Sequence, residues 1–294
     1  MVNNKYVGLG VALVTPFKDD LSVDFDALKR LVEFQIDNGA DYLVILGTTA
    51  ETPTLSSQEK NDIVNTVIEV NAHRLPLVLG IGGYNTMDVV ETLKSTNLEN
   101  IDAILSVTPS YNVPTQEGLY QHFKVMVSAV DKPFILYNVP GRTGVNMEPT
   151  TTLRLANEFN NIVAIKEASG NIKQIATIIK DAPDGFVVIS GDDSLTIPII
   201  ALGGVGLISV AANAFPAQMN KIVNMSLESD FAQARDVYYK YKEMIELLFV
   251  QGNPSGIKAV MSQLNLVNNK LRLPLVAVSS DVLQRMATAL KTIN

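Results

Sequence analysis

Short apolar runs recur between Val7 and Val210, each followed by a segment whose apolar positions fall at helical spacing. The first run, Val7 to Thr15, is closed by Thr15-Pro16. A helical pattern follows with Leu28, Leu31, Val32 and Ile36, and it ends at Asn38-Gly39. Glycine suits that end because it takes the left-handed backbone of a helix C-terminus at no steric cost. Tyr42 to Leu46 is the second run. Ser56-Ser57-Gln58-Glu59 then reads as a capping box, with Ile63, Val64, Val67 and Ile68 on one helix face. Pro76 to Ile81 precedes a helix from Thr86 to about Leu93, and Ala103 to Val107 precedes one from about Thr115 to Val130. After Pro133 to Tyr137 comes a helix from about Glu148 to Glu158. The sixth run, Ile162 to Ile165, ends in Lys166 and leads to a helix from Asn171 to about Lys180. Phe186 to Ile189 is followed by Ser194 to Leu202, and Val205 to Val210 by a helix starting near Pro216.

Continuous apolar runs with β-branched residues are the pattern of strands buried on both faces of a parallel sheet. Eight strand-helix units in succession predict an α/β protein, a (β/α)8 TIM barrel with short connections. We assign residues 1–225 to the barrel and 226–294 to a C-terminal helical extension packed on it. Helical spacing in that extension covers Tyr238 to Phe249, Ile257 to Leu264 and Asp281 to Leu290, with Gly252-Asn253-Pro254 as the hinge. Ile197 to Phe215 is uncharged and long enough to suggest a membrane span. Pro198, Gly203, Gly204, Gly206 and Asn213 instead divide it into a short helix, a turn and a strand.

Composition narrows the possible functions. Of 294 residues 47% are hydrophobic and 18% charged, so the chain can bury a large core. Lys and Arg number 23 against 30 Asp and Glu, a net charge of −7, and no basic run offers a stripe for phosphates. That balance argues against nucleic acid. The chain has no cysteine, which excludes disulfides, thiolate metal sites and cysteine nucleophiles. Met1 to Tyr6 is polar and lacks a signal-peptide core, so a cytoplasmic location is expected.

Functional residues of such barrels sit in the loops after the strands. Those loops read Gly47-Thr48-Thr49-Ala50-Glu51, Thr108-Pro109-Ser110-Tyr111-Asn112, Tyr137-Asn138-Val139-Pro140-Gly141-Arg142-Thr143-Gly144, Lys166 and Ser190-Gly191-Asp192-Asp193. Lys166 is either a solvated strand end or an amine held in a low-dielectric pocket. In its neutral form that amine would be a nucleophile able to form a Schiff base with a carbonyl compound. Thr48 and Thr49, taken alone, read as turn formers whose hydroxyls bond to local backbone amides, ahead of a role as hydroxyls for a ligand. Tyr137 could be a strand-end aromatic, and Arg142 either a surface arginine or a fork for a carboxylate. Asp192 and Asp193 fit helix-dipole partners better than a metal pair. His73 and His122 fall on helical segments without ligand spacing and count as structural, so no metal is expected. Gly82-Gly83 and Gly203-Gly204 are weak candidates for a phosphate cradle.

Taken together, these segments resemble the dihydrodipicolinate synthase family, within the wider group of pyruvate-dependent class I aldolases. The likeness runs from about Val11 through Val210, with weaker support to Leu275. It rests on Thr15-Pro16-Phe17, Gly47-Thr48-Thr49, Thr108-Pro109 with Tyr111-Asn112, and Tyr137-Asn138-Val139-Pro140 with Arg142-Thr143-Gly144. Ile165-Lys166-Glu167-Ala168, Ser190-Gly191-Asp192-Asp193 and Gly206-Leu207-Ile208-Ser209-Val210 add to it.

The resemblance implies a lyase of lysine and diaminopimelate biosynthesis that condenses pyruvate with aspartate-4-semialdehyde and needs no cofactor. In that reading Lys166 forms the Schiff base, Tyr137 is the neighbouring acid/base, and Thr48 and Tyr111 complete a proton relay. Tyr111 would reach into the adjacent subunit of a tight dimer, within a homotetramer built as a dimer of dimers. Thr49 and the backbone at Ile208 would hold the pyruvate carboxylate, and Arg142 would position the aldehyde. Arg142 also favours this branch over N-acetylneuraminate lyase and other sugar-acid aldolases. A non-catalytic barrel that binds a keto acid is the alternative of another class. Departures from the family pattern are Ala50 for a glycine, Ser110 for a tyrosine, and Gln251 before Gly252-Asn253-Pro254, where a glutamate is usual before the Asn-Pro. Ser57, Lys60 and Tyr84 stand where lysine-inhibited members carry two histidines and an asparagine, so weak or absent inhibition by lysine is expected.

Overall fold

The computed structural model describes residues 4–293. Eight parallel strands close into a barrel: β1 (Gly8–Ala12), β2 (Tyr42–Ile45), β3 (Leu77–Gly80), β4 (Ala103–Val107), β5 (Phe134–Asn138), β6 (Ile162–Glu167), β7 (Val187–Ser190) and β8 (Gly206–Ser209). Each pairs with the next in sequence, and β8 returns to β1 through Gly8 opposite Gly206. The helices between them are α1 (Phe25–Asp37), α2 (Ser57–Asn71), α3 (Thr86–Ser95), α4 (Gln116–Val127), α5 (Pro140–Thr143), α6 (Pro149–Glu158), α7 (Ile172–Asp181) and α8 (Thr196–Ala201). Behind β8 follow α9 (Pro216–Leu227), α10 (Phe231–Leu247), α11 (Ser255–Gln263) and α12 (Ser280–Ile293).

The strands lack polar alternation because both faces are covered. Leu43, Ile45, Leu79, Leu136 and Ile165 point outward into the layer beneath the helices. Ala12, Val44, Val78, Leu105, Ile135, Ala164 and Ile189 fill the barrel interior. The interior is solid at its N-terminal end. A Cβ at Gly10 would lie 2.2 Å from the Tyr42 ring, so glycine there is what admits that ring. Tyr6 meets Tyr42 edge-on with centroids 6.2 Å apart, and its hydroxyl donates to the Asp102 carbonyl.

Local signals act as the sequence indicated. Glu59 N–H donates to Ser56 Oγ at 3.2 Å while Ser56 N–H donates to Glu59 Oε2 at 2.8 Å, closing the capping box of α2. The uncharged stretch from Ile197 divides into α8 and β8, and among the described residues no helix is long and apolar enough to cross a membrane. Differences lie at the ends and in one added element. Helix α10 begins at Phe231, earlier than the apolar spacing suggests, because the Asp230 side chain caps it by accepting from Gln233 N–H. The turn α5 has no apolar periodicity; Pro140 starts it and Gly144, at φ 77°, ends it.

The C-terminal helices are joined to the barrel by charge as well as by apolar contact. Lys258 on α11 and Glu51 after β2 form an ion pair with both side chains fully buried. Burial holds the Lys258 ammonium down at about 8, against the pull of Glu51. Arg272 donates to both carboxylate oxygens of Glu59 and to the Leu21 and Thr54 carbonyls, and its fork pulls the Glu59 carboxyl down to about 2. Both cations stack on Phe17, with Lys258 Nζ 4.1 Å and Arg272 Cζ 4.6 Å from the ring centroid.

Candidate active site

At the C-terminal end of the barrel, β5 and β6 pair Tyr137 with Lys166. Alternation along β6 sends Lys166 to the same side as Ala164, into the barrel, while Ile165 packs outward. Lys166 is 5% exposed and its Nζ lies 4.3 Å from the Tyr137 ring centroid. Among the described residues only Lys166 and Lys258 are buried lysines. Lys258 is committed to Glu51, whereas Lys166 faces an aromatic ring with no carboxylate in ion-pair range among the described residues. Gly191, after β7, makes that position possible. A Cβ there would sit 3.0 Å from Lys166 Cε and 2.8 Å from Ala168 Cβ.

The hydroxyl pair after β2 is held by its flanks. Thr48 to Ala50 form a 3-10 turn bounded by Leu46 at φ 53° and Glu51 at φ 56°. Such left-handed conformations are unfavourable for non-glycine residues and persist where surroundings impose them. Here Thr15 Oγ1 donates to the Ala50 carbonyl at 2.7 Å, and the buried Glu51 carboxylate accepts from Lys258 and from Arg272 N–H. Thr49 is buried and accepts from Asn253 Nδ2 at 3.0 Å; Thr48 is half-buried. The Asn253 carbonyl in turn accepts from Arg142, at 3.3 Å, on the exposed face of α5. Gly252 to Pro254 therefore does more than link two helices: Asn253 ties Thr49 to Arg142.

Ile208 lies on β8 with its side chain buried, and the backbone after it is fixed by Asp193. That carboxylate accepts from Ser209 Oγ at 2.5 Å, Val210 N–H at 3.1 Å and Ala211 N–H at 3.4 Å. Burial pushes its carboxyl up to about 6. Asp193 thus braces β8 from the β7 loop, whereas Asp192 is the ordinary cap, accepting from Ser194 N–H. Among the described residues no three His, Asp or Glu side chains gather as metal ligands would.

Lys166, Tyr137, Thr48, Thr49, Ile208 and Arg142 all stand at the C-terminal rim, on strands β2, β5, β6 and β8 or the turns just after them. Tyr111 does not join them within one chain. It is 92% exposed with φ 71°, beyond the end of β4. Reading strand ends also missed the groups one position further on, which face outward. Asn138 and Glu167 are fully buried behind Tyr137 and Lys166, and a glutamate closing an apolar strand was the available signal.

Sequence and structure comparisons identify the family. The sequence model of the dihydrodipicolinate synthetase family matches residues 5–293. A 4-hydroxy-tetrahydrodipicolinate synthase of Parabacteroides distasonis is 52% identical over 287 residues, covering 98% of this chain and 97% of that protein. Another from Flavobacterium psychrophilum is 52% identical and covers 96% of both. Among solved structures, the dihydrodipicolinate synthase of Thermotoga maritima superposes with a TM-score of 0.95 at 37% identity, covering 98% of this chain and 99% of that one. The Aquifex aeolicus dihydrodipicolinate synthase gives 0.94 at 40% identity and 97% of both. With its family model matched over residues 5–293 and nearly its whole length shared with relatives at 52% identity, the chain belongs to the dihydrodipicolinate synthetase family.

Proposed function

We propose that this chain is a 4-hydroxy-tetrahydrodipicolinate synthase, condensing pyruvate with aspartate-4-semialdehyde through a Schiff base on Lys166. The observation that carries the reading is a lysine buried inside the barrel mouth, over the Tyr137 ring and without a carboxylate partner among the described residues. Relatives at 52% identity bearing that name support the substrate assignment.

The residues supply the chemistry in order. Thr49 and the backbone at Ile208 hold the pyruvate carboxylate. Lys166 Nζ attacks the keto carbon, water leaves, and a protonated imine remains as an electron sink. Loss of a methyl proton gives an enamine, whose carbon bonds to the aldehyde carbon while the aldehyde oxygen gains a proton. Tyr137 carries these protons with Thr48 and Tyr111. The amino group of the second substrate then displaces Lys166 from the imine carbon, which closes the ring and frees the enzyme. Arg142, its side chain anchored on the Asn253 carbonyl as its one hydrogen-bond partner among the described residues, orients the carboxylate of the aldehyde substrate.

The same relay calls for a particular assembly. Tyr111 stands bare on a strained backbone beside exposed Val113, which suits a ring delivered to the neighbouring subunit of a tight dimer, two dimers forming the tetramer. Borohydride reduction in the presence of pyruvate, followed by peptide mass analysis, tests the central step. A covalent gain on the Lys166 peptide is expected, and an unmodified lysine refutes the reading. Turnover with aspartate-4-semialdehyde, and none with N-acetylmannosamine, separates the synthase from the sugar-acid aldolases.

A further inference from the structure

Behind the Lys166 and Tyr137 pair, on the outer face of the barrel wall, lies a polar cluster that the reaction as described does not use. Asn138 follows Tyr137 and Glu167 follows Lys166, so both point away from the interior, and the two are themselves register partners. Both are 0% exposed. Asn138 Nδ2 donates to Glu167 Oε1 at 2.5 Å, and Gln174 Nε2 from α7 donates to the same oxygen at 3.0 Å. The other oxygen, Oε2, accepts from Ser169 Oγ at 2.5 Å and from Ser169 N–H at 3.2 Å. Asn138 Oδ1 accepts from Met147 N–H at 2.9 Å, and Asn146 joins Asn138 to Gln174. Every strong partner of the Glu167 carboxylate is a neutral donor, and burial holds its carboxyl above the usual range.

An apolar pair would fill this space without the cost of desolvating a carboxylate. What the polar pair adds is direction, because a saturated hydrogen-bond network tolerates little displacement. The ladder beneath it has need of that. Between Phe134 and Ile135 the pairing of β5 with β6 shifts, from Phe134 opposite Ile162 to Ile135 opposite Ala164. Backbone bonds alone therefore leave an irregularity only two residues below Tyr137 on β5.

We propose that Asn138 and Glu167 are positioning residues, a clamp on the outer wall that fixes Lys166 against Tyr137 on the inner one. The clamp acts on imine formation and leaves the carboxylate-holding groups on β2 and β8 untouched. This inference rests on Lys166 being the Schiff-base amine.

The test compares Glu167→Ala, Asn138→Ala and Glu167→Gln with the unaltered enzyme. It reads the rate of borohydride-trappable imine formation with pyruvate, the pyruvate KM against kcat, and the urea unfolding midpoint. The alanine variants are expected to slow imine formation at least tenfold while pyruvate KM stays within about threefold. Glu167→Gln, which keeps the shape and one acceptor for Asn138 and Gln174, is expected to recover most of the rate. Normal imine formation in both alanine variants overturns the proposal. So does a rise in KM in step with the fall in kcat, which marks general loosening. Should the alanine variants fail to fold, Asn138→Ser decides: an unimpaired rate of imine formation in it overturns the clamp. Failure of trapping in the unaltered enzyme sinks the Schiff-base reading itself, and is distinguishable from failure in the variants alone.

Discussion

Lys258 and Glu51 meet with both side chains wholly out of water, joining helix α11 to the residue that ends the Thr48–Ala50 turn. Removing one member of a buried pair leaves the other charge without compensation, at a typical cost of about 3–5 kcal/mol. Lys258→Met should therefore lower the urea unfolding free energy by about that amount. Adding Glu51→Leu to it should return a large part of the loss, since an apolar pair of similar volume has no charge to bury. A single variant as stable as the parent would show that the pair contributes nothing.

Gly191 brings the β7 loop against the lysine. A methyl group there would press on Ala168 Cβ at 2.8 Å and Lys166 Cε at 3.0 Å, and overpacking of this kind costs about 1–3 kcal/mol. Gly191→Ala is expected to remain folded but to lose at least about tenfold in borohydride trapping, because a shift of even a few tenths of an ångström falls on the reacting amine. Trapping at the parental rate would mean that the loop yields instead.

Arg142 is exposed and bonded to the protein through the Asn253 carbonyl. A charge-assisted contact to a substrate carboxylate is worth about 2–3 kcal/mol, or roughly a hundredfold. Arg142→Ala should lower kcat/KM for aspartate-4-semialdehyde by about that factor and leave imine trapping with pyruvate unchanged. Loss of both would place the arginine at the first substrate instead.

Two buried groups oppose each other in mild acid. Burial takes His122 from the usual 6.5 down to about 4, so the unfolded chain binds its proton first and stability falls as pH drops through that window. Asp193 is raised from 3.8 to about 6, so the folded chain binds its proton first and stability falls as pH rises through that window. Relative to the parent, His122→Gln should gain on the order of 2 kcal/mol between about pH 6.5 and 4. Asp193→Asn should gain a similar amount, roughly 2–3 kcal/mol, as pH rises from about 4 to 6. Unfolding free energies measured at half-unit steps would reveal both slopes, and parallel curves would refute them.

The barrel was legible because eight apolar runs alternate with amphipathic segments, and buried parallel strands leave little room for another reading. Lys166, Tyr137 and the Thr48-Thr49 pair were legible as polar groups at strand ends. Their supports were not, because Asn253, Lys258 and Arg272 lie some 200 residues away from the turn they hold. Sequence spacing carries no trace of a hydrogen bond between Asn253 and Thr49. Asp193 shows a subtler limit. As one of two adjacent aspartates before a helix it reads as a helix-dipole partner, yet only Asp192 caps the turn, and its neighbour turns inward to the backbone of β8.

The ring of Tyr42, seated where Gly10 has no side chain and covered by Tyr6, stoppers the barrel from below. Access to Lys166 is consequently left to the rim at the other end of the barrel, where Thr48, Tyr137 and Arg142 stand.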